Sequence, residues 1–338
     1  MSALRLVQFD SPADFLEAMK QYDDSSLNFT LGSFLDNMDD NLQFSQAHWG
    51  PKTRILLSVY RGDDLILTLT KNAKDFSWMM ATPSSIDPSQ DALHISAAAK
   101  LLASYLPTII DPTLVDKVIG PKGAVNAFIV SWVTLMASRG VYLKALPPYF
   151  NSRGCHATRS TLPPHCSTLA DYHISLAGPD DVEDLIPLNM QFSSHGPHRA
   201  TAETARAAMG EAVEAQKIWI SRIDGGIAGY VMVGRSTPHT IAIRCVFVLP
   251  QCRRRGIAEA LVTVVTRYYL GVQPLGFAGA PSEGPPDGHK AEVCLNAADP
   301  SVEGLYRRCG FMLDDHARDP ATGKKGSFRW TWRGVEPL

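Results

Sequence analysis

Three consecutive arginines, Arg253, Arg254 and Arg255, stand directly before Gly256, Ile257 and Ala258. An apolar strand over 240–248 leads into them, and Pro250 stops it because proline offers no ladder donor. An apolar helix over 256–270 follows. The first amides of such a helix lack an intrahelical acceptor, and the helix dipole adds partial positive charge there. Together they form a seat for a phosphate or pyrophosphate. Gly256 and Ala258 keep large side chains away from an anion approaching the backbone, and the arginines supply full positive charge. Taken without its surroundings, the stretch is equally an ordinary turn with a solvated basic face. A Walker loop is excluded because no Gly-Lys-Ser/Thr follows. A dinucleotide fingerprint is poor, with no G-x-G-x-x-G and hairpin-connected strands before the turn.

Further along lies Leu305-Tyr306-Arg307-Arg308-Cys309-Gly310-Phe311. A phenol near its ordinary pKa of about 10 can donate a proton at neutral pH, although a core tyrosine with a satisfied hydroxyl fits the same position. The ordered set is Arg253-x-x-Gly256-x-Ala258 after Val246-Phe247-Val248-Leu249-Pro250, a preceding hairpin carrying Gly226 and Gly229, a following strand over 293–296, and the Leu-Tyr-x-x-x-Gly-Phe stretch. This set resembles the GCN5-related N-acetyltransferase (GNAT) superfamily over roughly residues 171–335.

The resemblance implies transfer of an acetyl group from acetyl-CoA, as co-substrate, to an amine by direct attack in a ternary complex. It implies that the backbone of Val246, Phe247 and Val248 pairs with the pantetheine arm like an added strand. The pyrophosphate would rest on amides of Arg253, Arg254, Arg255, Gly256, Ile257 and Ala258. Tyr306 would reprotonate the leaving thiolate. Asp299 stands where the family commonly has an asparagine that holds pantetheine; a carboxylate accepts but cannot donate as an amide does, and Asn296 would cover the missing donor. A small-molecule amine is the expected acceptor. A protein or peptide amine, and a non-catalytic acyl-CoA-binding regulator, are the alternatives. No general base is legible: Arg244 and Cys245 are poor candidates. His195 and His198 read as loop histidines on the segment where the family often closes over the acceptor, and a metal reading of them is weak. Cys252, beside a helix start and three arginines, reads as an incidental loop cysteine.

The elements that position these residues fill a chain of 338 residues, 45% hydrophobic and 20% charged, enough apolar surface for two packed domains and incompatible with a disordered tail. With 32 Lys+Arg against 34 Asp+Glu, bulk charge gives no reason to expect a nucleic-acid partner. No apolar run reaches the roughly 18 residues of a membrane span, and the polar start lacks a secretory core, so a cytoplasmic protein without a membrane partner is expected. Cysteines 155, 166, 245, 252, 294 and 309 suit neither a disulfide frame nor a zinc site, and no metal is expected.

The expected fold is α/β, with two tandem GNAT-like modules, each a mixed, mainly antiparallel sheet flanked by helices. Each half reads strand, helix, antiparallel strands, helix, strand. The Ser/Thr/Pro/Gly-rich stretch 151–170 marks the junction. Residues 1–165 would form a degenerate GNAT-like module and residues 171–338 the acetyl-CoA-binding catalytic domain. In the first half, Val118-Ile119-Gly120-Pro121-Lys122-Gly123 before an apolar helix is taken as the counterpart of the arginine turn, without its pattern. The Gly/Pro-rich stretch 271–290 is either a surface excursion or a lid or interaction segment.

Overall fold

The computed structural model describes residues 3–36, 54–72, 77–87, 90–164, 172–195, 199–273 and 284–338. It divides into two compact units, Met1–Gly154 with Phe328–Leu338, and Cys155–Ser327.

Unit 1 opens with β1 (Leu4–Gln8), α1 (Pro12–Met19) and α2 (Asn28–Asp36). Ser11 caps α1 by accepting from the Asp14 amide at 3.1 Å, with Pro12 in the first turn, as expected from the sequence. The antiparallel strands β2 (Ile55–Arg61), β3 (Asp64–Lys71) and β4 (Trp78–Ala81) follow, then α3 (Ala92–Tyr105). Next come β5 (Lys117–Pro121), parallel to β4, then α4 (Lys122–Ser138), β6 (Leu143–Ala145) and β7 (Phe150–Ala157). Strand alternation sorts the side chains. Leu57 and Val59 join a core with Ala98, Leu102, Phe128 and Trp132 of α3 and α4. Leu56 and Tyr60 join the opposite one with Phe15, Met19, Leu31 and Phe34 of α1 and α2.

Unit 2 repeats the order: β8 (His173–Leu176), α5 (Val182–Ser193), α6 (Ala202–Glu214), β9 (Ile218–Ile223), β10 (Gly226–Gly234), β11 (Thr240–Val248), α7 (Ile257–Tyr269), β12 (Glu292–Ala297) and α8 (Glu303–Arg308). The β9–β10 hairpin turns on Asp224 and Gly225, both at positive φ, as a two-residue turn requires. β8, β9, β10 and β11 pair antiparallel in that order, and β12 is parallel to β11. Val231, Val233, Ile241 and Ile243 pack with the apolar side chains of α7. Ile218, Ile220, Tyr230 and Phe247 pack with Leu185, Leu188 and Met209 of α5 and α6. The fold is therefore α/β with mixed, mainly antiparallel strand pairing.

Three expectations change. The division does not fall at 165/171. The last strand, β13 (Ser327–Pro337), pairs antiparallel with β5, so its main part belongs to unit 1. The end of β7 belongs to unit 2, where Cys155 and Ala157 are buried with Leu295 and Phe311. Residues 151–157 are thus strand rather than junction; Asn151, Gly154 and Ala157 are weak strand formers, and pairing overrides their propensity. Finally, β5 is the parallel partner of β4 as β12 is of β11. The stretch Val118 to Gly123 therefore matches the β12-to-α8 passage. The counterpart of the arginine turn is the β4-to-α3 connection, residues 82–91.

Candidate functional site

β12 pairs with β11 only from Thr240↔Glu292 to Ile243↔Leu295. Beyond that register, among the described residues, β11 continues against β10 alone, with Val246 opposite Val231, Phe247 opposite Tyr230 and Val248 opposite Gly229. Residues 244–248 thus carry an edge without a β12 partner, the kind of edge that accepts an added extended chain. A bulge sits where this opening starts: Met232 faces Cys245 and Val233 faces Ile243, so Arg244 is the extra residue, and it is exposed. Asn296, half-buried, is the first β12 residue past the last pair.

The chain leaves β11 through a 3-10 turn, Pro250–Cys252, and reaches α7 over the arginines. Arg253 Nε donates to the Val248 carbonyl at 3.1 Å, and its guanidinium lies 5.9 Å from the Phe247 ring centre. Arg254 and Gly256 are left-handed, with φ of 63° and 77°. Gly256 occupies the N-cap of α7 and supplies no capping side chain. Among the described residues, the amides of Ile257, Ala258 and Glu259 find no acceptor. All three arginines and Gly256 are exposed, Ile257 is buried and Ala258 half-buried. Uncapped amides, a left-handed glycine and three cations on one exposed turn fit a phosphate-bearing ligand.

Sequence reasoning missed Tyr172. Its hydroxyl donates to the Arg255 carbonyl at 2.9 Å, and any Cβ at Gly256 would collide with that hydroxyl. No local pattern marks a residue so far from the turn in the chain.

Tyr306 lies on α8, partly buried, its ring set edge-on to Phe311 at 6.1 Å. Gly310 closes that helix at φ 96°, where a Cβ would meet the Thr161 carbonyl at 3.0 Å. Burial pushes the Tyr306 phenol well above its usual pKa, and the thiols of Cys155, Cys309 and Cys245 add to the rise. Burial likewise pushes the Cys245 thiol up to about 11 and that of Cys309 to about 12, so neither serves as a base at neutral pH.

Asp299 is exposed and caps a 3-10 turn, accepting from the Ser301 amide at 2.8 Å; that bond holds its carboxyl below the usual range. His195 is exposed just after α5, and His198 lies outside the described residues, as do Cys166 and residues 274–283 of the Gly/Pro-rich stretch. Cys252 is half-buried in the Pro250–Cys252 turn. Among the described residues no group of three or more His, Cys, Asp or Glu could hold a metal, and no helix is long and apolar enough to cross a membrane.

Residues 214–313 match the family model described as Acetyltransferase (GNAT) domain, a span that holds the opened β11 edge, the arginine turn and Tyr306. Over that span the chain is similar to GNAT acetyltransferases, acyltransferases that draw their acyl group from an acyl-CoA. No curated protein matches the chain. Among solved structures it is similar to a GCN5-related N-acetyltransferase from Sphaerobacter thermophilus, at 13% identity over 98% of this chain and 95% of that one, with a TM-score of 0.48. It is also similar to a GNAT-family acetyltransferase from Colwellia psychrerythraea, at 11% identity over 98% and 99%, TM-score 0.48. A third is a tandem GNAT protein from the clavulanic acid biosynthesis pathway, at 11% identity over 99% and 98%, TM-score 0.44.

Proposed function

We propose that the protein is an N-acetyltransferase that uses acetyl-CoA and acts on a small-molecule amine by direct attack in a ternary complex. The observation that carries this reading is the meeting, within unit 2, of the uncapped turn at Gly256, the unpartnered edge of β11 and a protonated phenol on α8.

The amides of residues 253–258 and the three arginines bind the pyrophosphate. Val246, Phe247 and Val248 hold the pantetheine arm along their open edge, with Asn296 and Asp299 at its far side. Bound acetyl-CoA supplies an activated acetyl thioester. Positioning the amine against it, in a site that stays fixed as charge develops, is the main contribution of the protein. Tyr306 gives its phenolic proton to the departing sulfur as the carbon–sulfur bond breaks and the carbon–nitrogen bond forms. The proton leaving the amine passes to water, because the Cys245 thiol is itself protonated, and the phenol is refilled from solvent. Unit 1 is a degenerate module that does not take part in acyl-CoA binding.

Calorimetry on the full chain tests the first half of this reading, and thiol release from acetyl-CoA across a panel of small amines tests the second. Binding of acetyl-CoA with turnover of at least one amine is expected. Binding without turnover of any amine or peptide amine would leave an acyl-CoA-binding regulator, and absence of binding would refute the assignment.

A further inference from the structure

The turn that would receive the pyrophosphate is strained. Arg254, which is not glycine, sits at φ 63°, a left-handed region that L-residues rarely adopt. Two residues on, Gly256 is also left-handed. Alternation of this kind curls successive amides toward one point, and it persists only where the surroundings hold it. Among the described residues, two side-chain hydrogen bonds to backbone carbonyls hold it. Arg253 Nε on the Val248 carbonyl ties down the entry to the turn. The Tyr172 hydroxyl on the Arg255 carbonyl ties down the peptide between the two left-handed residues. The Tyr172 ring is anchored, since it packs against the core built on Ile257, Leu261 and the unit 2 sheet, immediately before β8. Its hydroxyl also lies where any side chain at Gly256 would have to go.

We infer that Tyr172 is a positioning residue for acyl-CoA, one that holds the 253–258 turn in the shape that presents its amides to a pyrophosphate. This rests on the reading of that turn as the coenzyme A seat. Because the contact lies on a peptide carbonyl, its effect is confined to ligands that carry the pyrophosphate. A ligand without phosphates gains nothing from a preorganised turn.

The test is Tyr172→Phe in the full chain, which keeps the packed ring and removes only the donor. Calorimetry with acetyl-CoA is expected to show a dissociation constant about three- to tenfold higher, the worth of one hydrogen bond. S-acetylpantetheine, which has the thioester and the arm without phosphates, is expected to bind wild type and variant equally. The kcat at saturating acetyl-CoA should not move. A second arm places Tyr172→Phe in a Gly256→Ala background, where the Cβ already displaces the hydroxyl. There the same substitution should cost little or improve binding. Unchanged acetyl-CoA affinity in Tyr172→Phe, an equal loss on both thioesters, or a loss as large in the Gly256→Ala background would each overturn the inference. Failure of the wild-type chain to bind acetyl-CoA would instead overturn the functional reading, and this inference with it.

Discussion

In unit 2 the chain leaves the third strand of its meander through Pro250 and three arginines and enters α7 at a bare glycine cap. In unit 1 it leaves the equivalent strand, β4, through Thr82, Pro83, Ser84 and Ser85 and enters α3 past Asp87 and Asp91. The Asp91 carboxylate accepts the Asp87 amide at 3.2 Å and lies 3.3 Å from His94. One helix start offers free amides among cations; the other already has the protein's own carboxylate beside it. A carboxylate there repels a pyrophosphate, where the arginines attract one. The order of strands and helices is shared, so in the proposed reading it is the composition of one turn, and not that order, that makes the coenzyme A seat. The helices that follow the parallel strand differ too, since α4 contains no tyrosine and α8 carries Tyr306.

The largest expected effect separates these last two helices. Tyr306→Phe should lower kcat by about 10²–10⁴-fold, the usual worth of a positioned acid, with acetyl-CoA affinity nearly unchanged. A loss confined to KM would make Tyr306 a binding residue instead. The acid must be protonated to act, and burial raises its pKa, so the rate should show no Tyr306-dependent fall below about pH 10. An alkaline limb near pH 8 that disappears in Tyr306→Phe would contradict this.

The comparison also rests on which unit owns the last strand. Trp330 follows unit 2 in the sequence, yet its strand pairs with β5, and it is 1% exposed among Met79 and Ile119. Trp330→Ala should cost about 3–5 kcal/mol, the range for an emptied tryptophan site. Hydrogen exchange should lose protection in β5 before it does so in β11. Earlier loss in β11 would assign the strand to the wrong unit.

What was legible in the sequence was local. The arginine turn, the Leu-Tyr-x-x-x-Gly-Phe stretch and the hairpin at Asp224 and Gly225 each lie within a few residues, so spacing alone exposes them. The rest depends on partners far away in the chain. Tyr172 and Arg255 meet only after folding. That the end of β7 falls in unit 2 and most of β13 in unit 1 has no compositional trace. Val118 to Gly123 looked like the counterpart turn because Gly-Pro before an apolar helix imitates one; only its parallel pairing with β4 shows otherwise. The helix α2, Asn-Phe-Thr-Leu-Gly-Ser-Phe-Leu-Asp, has no legible helix signal because Asn28, Thr30, Gly32 and Ser33 dilute its propensity, and burial of Leu31 and Phe34 sustains it.

Gly256→Glu brings unit 2 toward unit 1 by putting a carboxylate at its helix start. The new side chain meets the Tyr172 hydroxyl, forces a left-handed non-glycine residue and repels the phosphates. The dissociation constant for acetyl-CoA should rise at least about tenfold, near 1.4 kcal/mol. Wild-type calorimetry should saturate at one acetyl-CoA per chain. Two sites per chain would show that unit 1 has kept a seat, and an unchanged constant in Gly256→Glu with the fold intact would remove the turn from the site.

The smallest effect is expected at Asp299, where unit 2 carries a carboxylate of its own. Two roles compete for that side chain. If it acts only as a cap, its oxygen accepts the Ser301 amide, and an asparagine oxygen does the same. If its charge has a task near the thioester, an asparagine removes it. Its carboxyl is held below the usual range by the Ser301 hydrogen bond, so it is ionised throughout the neutral range, and any contribution of its charge would be lost only as the pH falls through that lowered value. Asp299→Asn removes the charge at every pH while keeping the acceptor and adding an amide donor toward the pantetheine arm. Steady-state kinetics should therefore show turnover within about twofold of wild type, or somewhat higher, because a single added hydrogen bond is worth only about 1 kcal/mol. A fall beyond tenfold would assign this carboxylate to the reaction itself and would place charge chemistry on the β12 side of the opening, where only binding is now proposed.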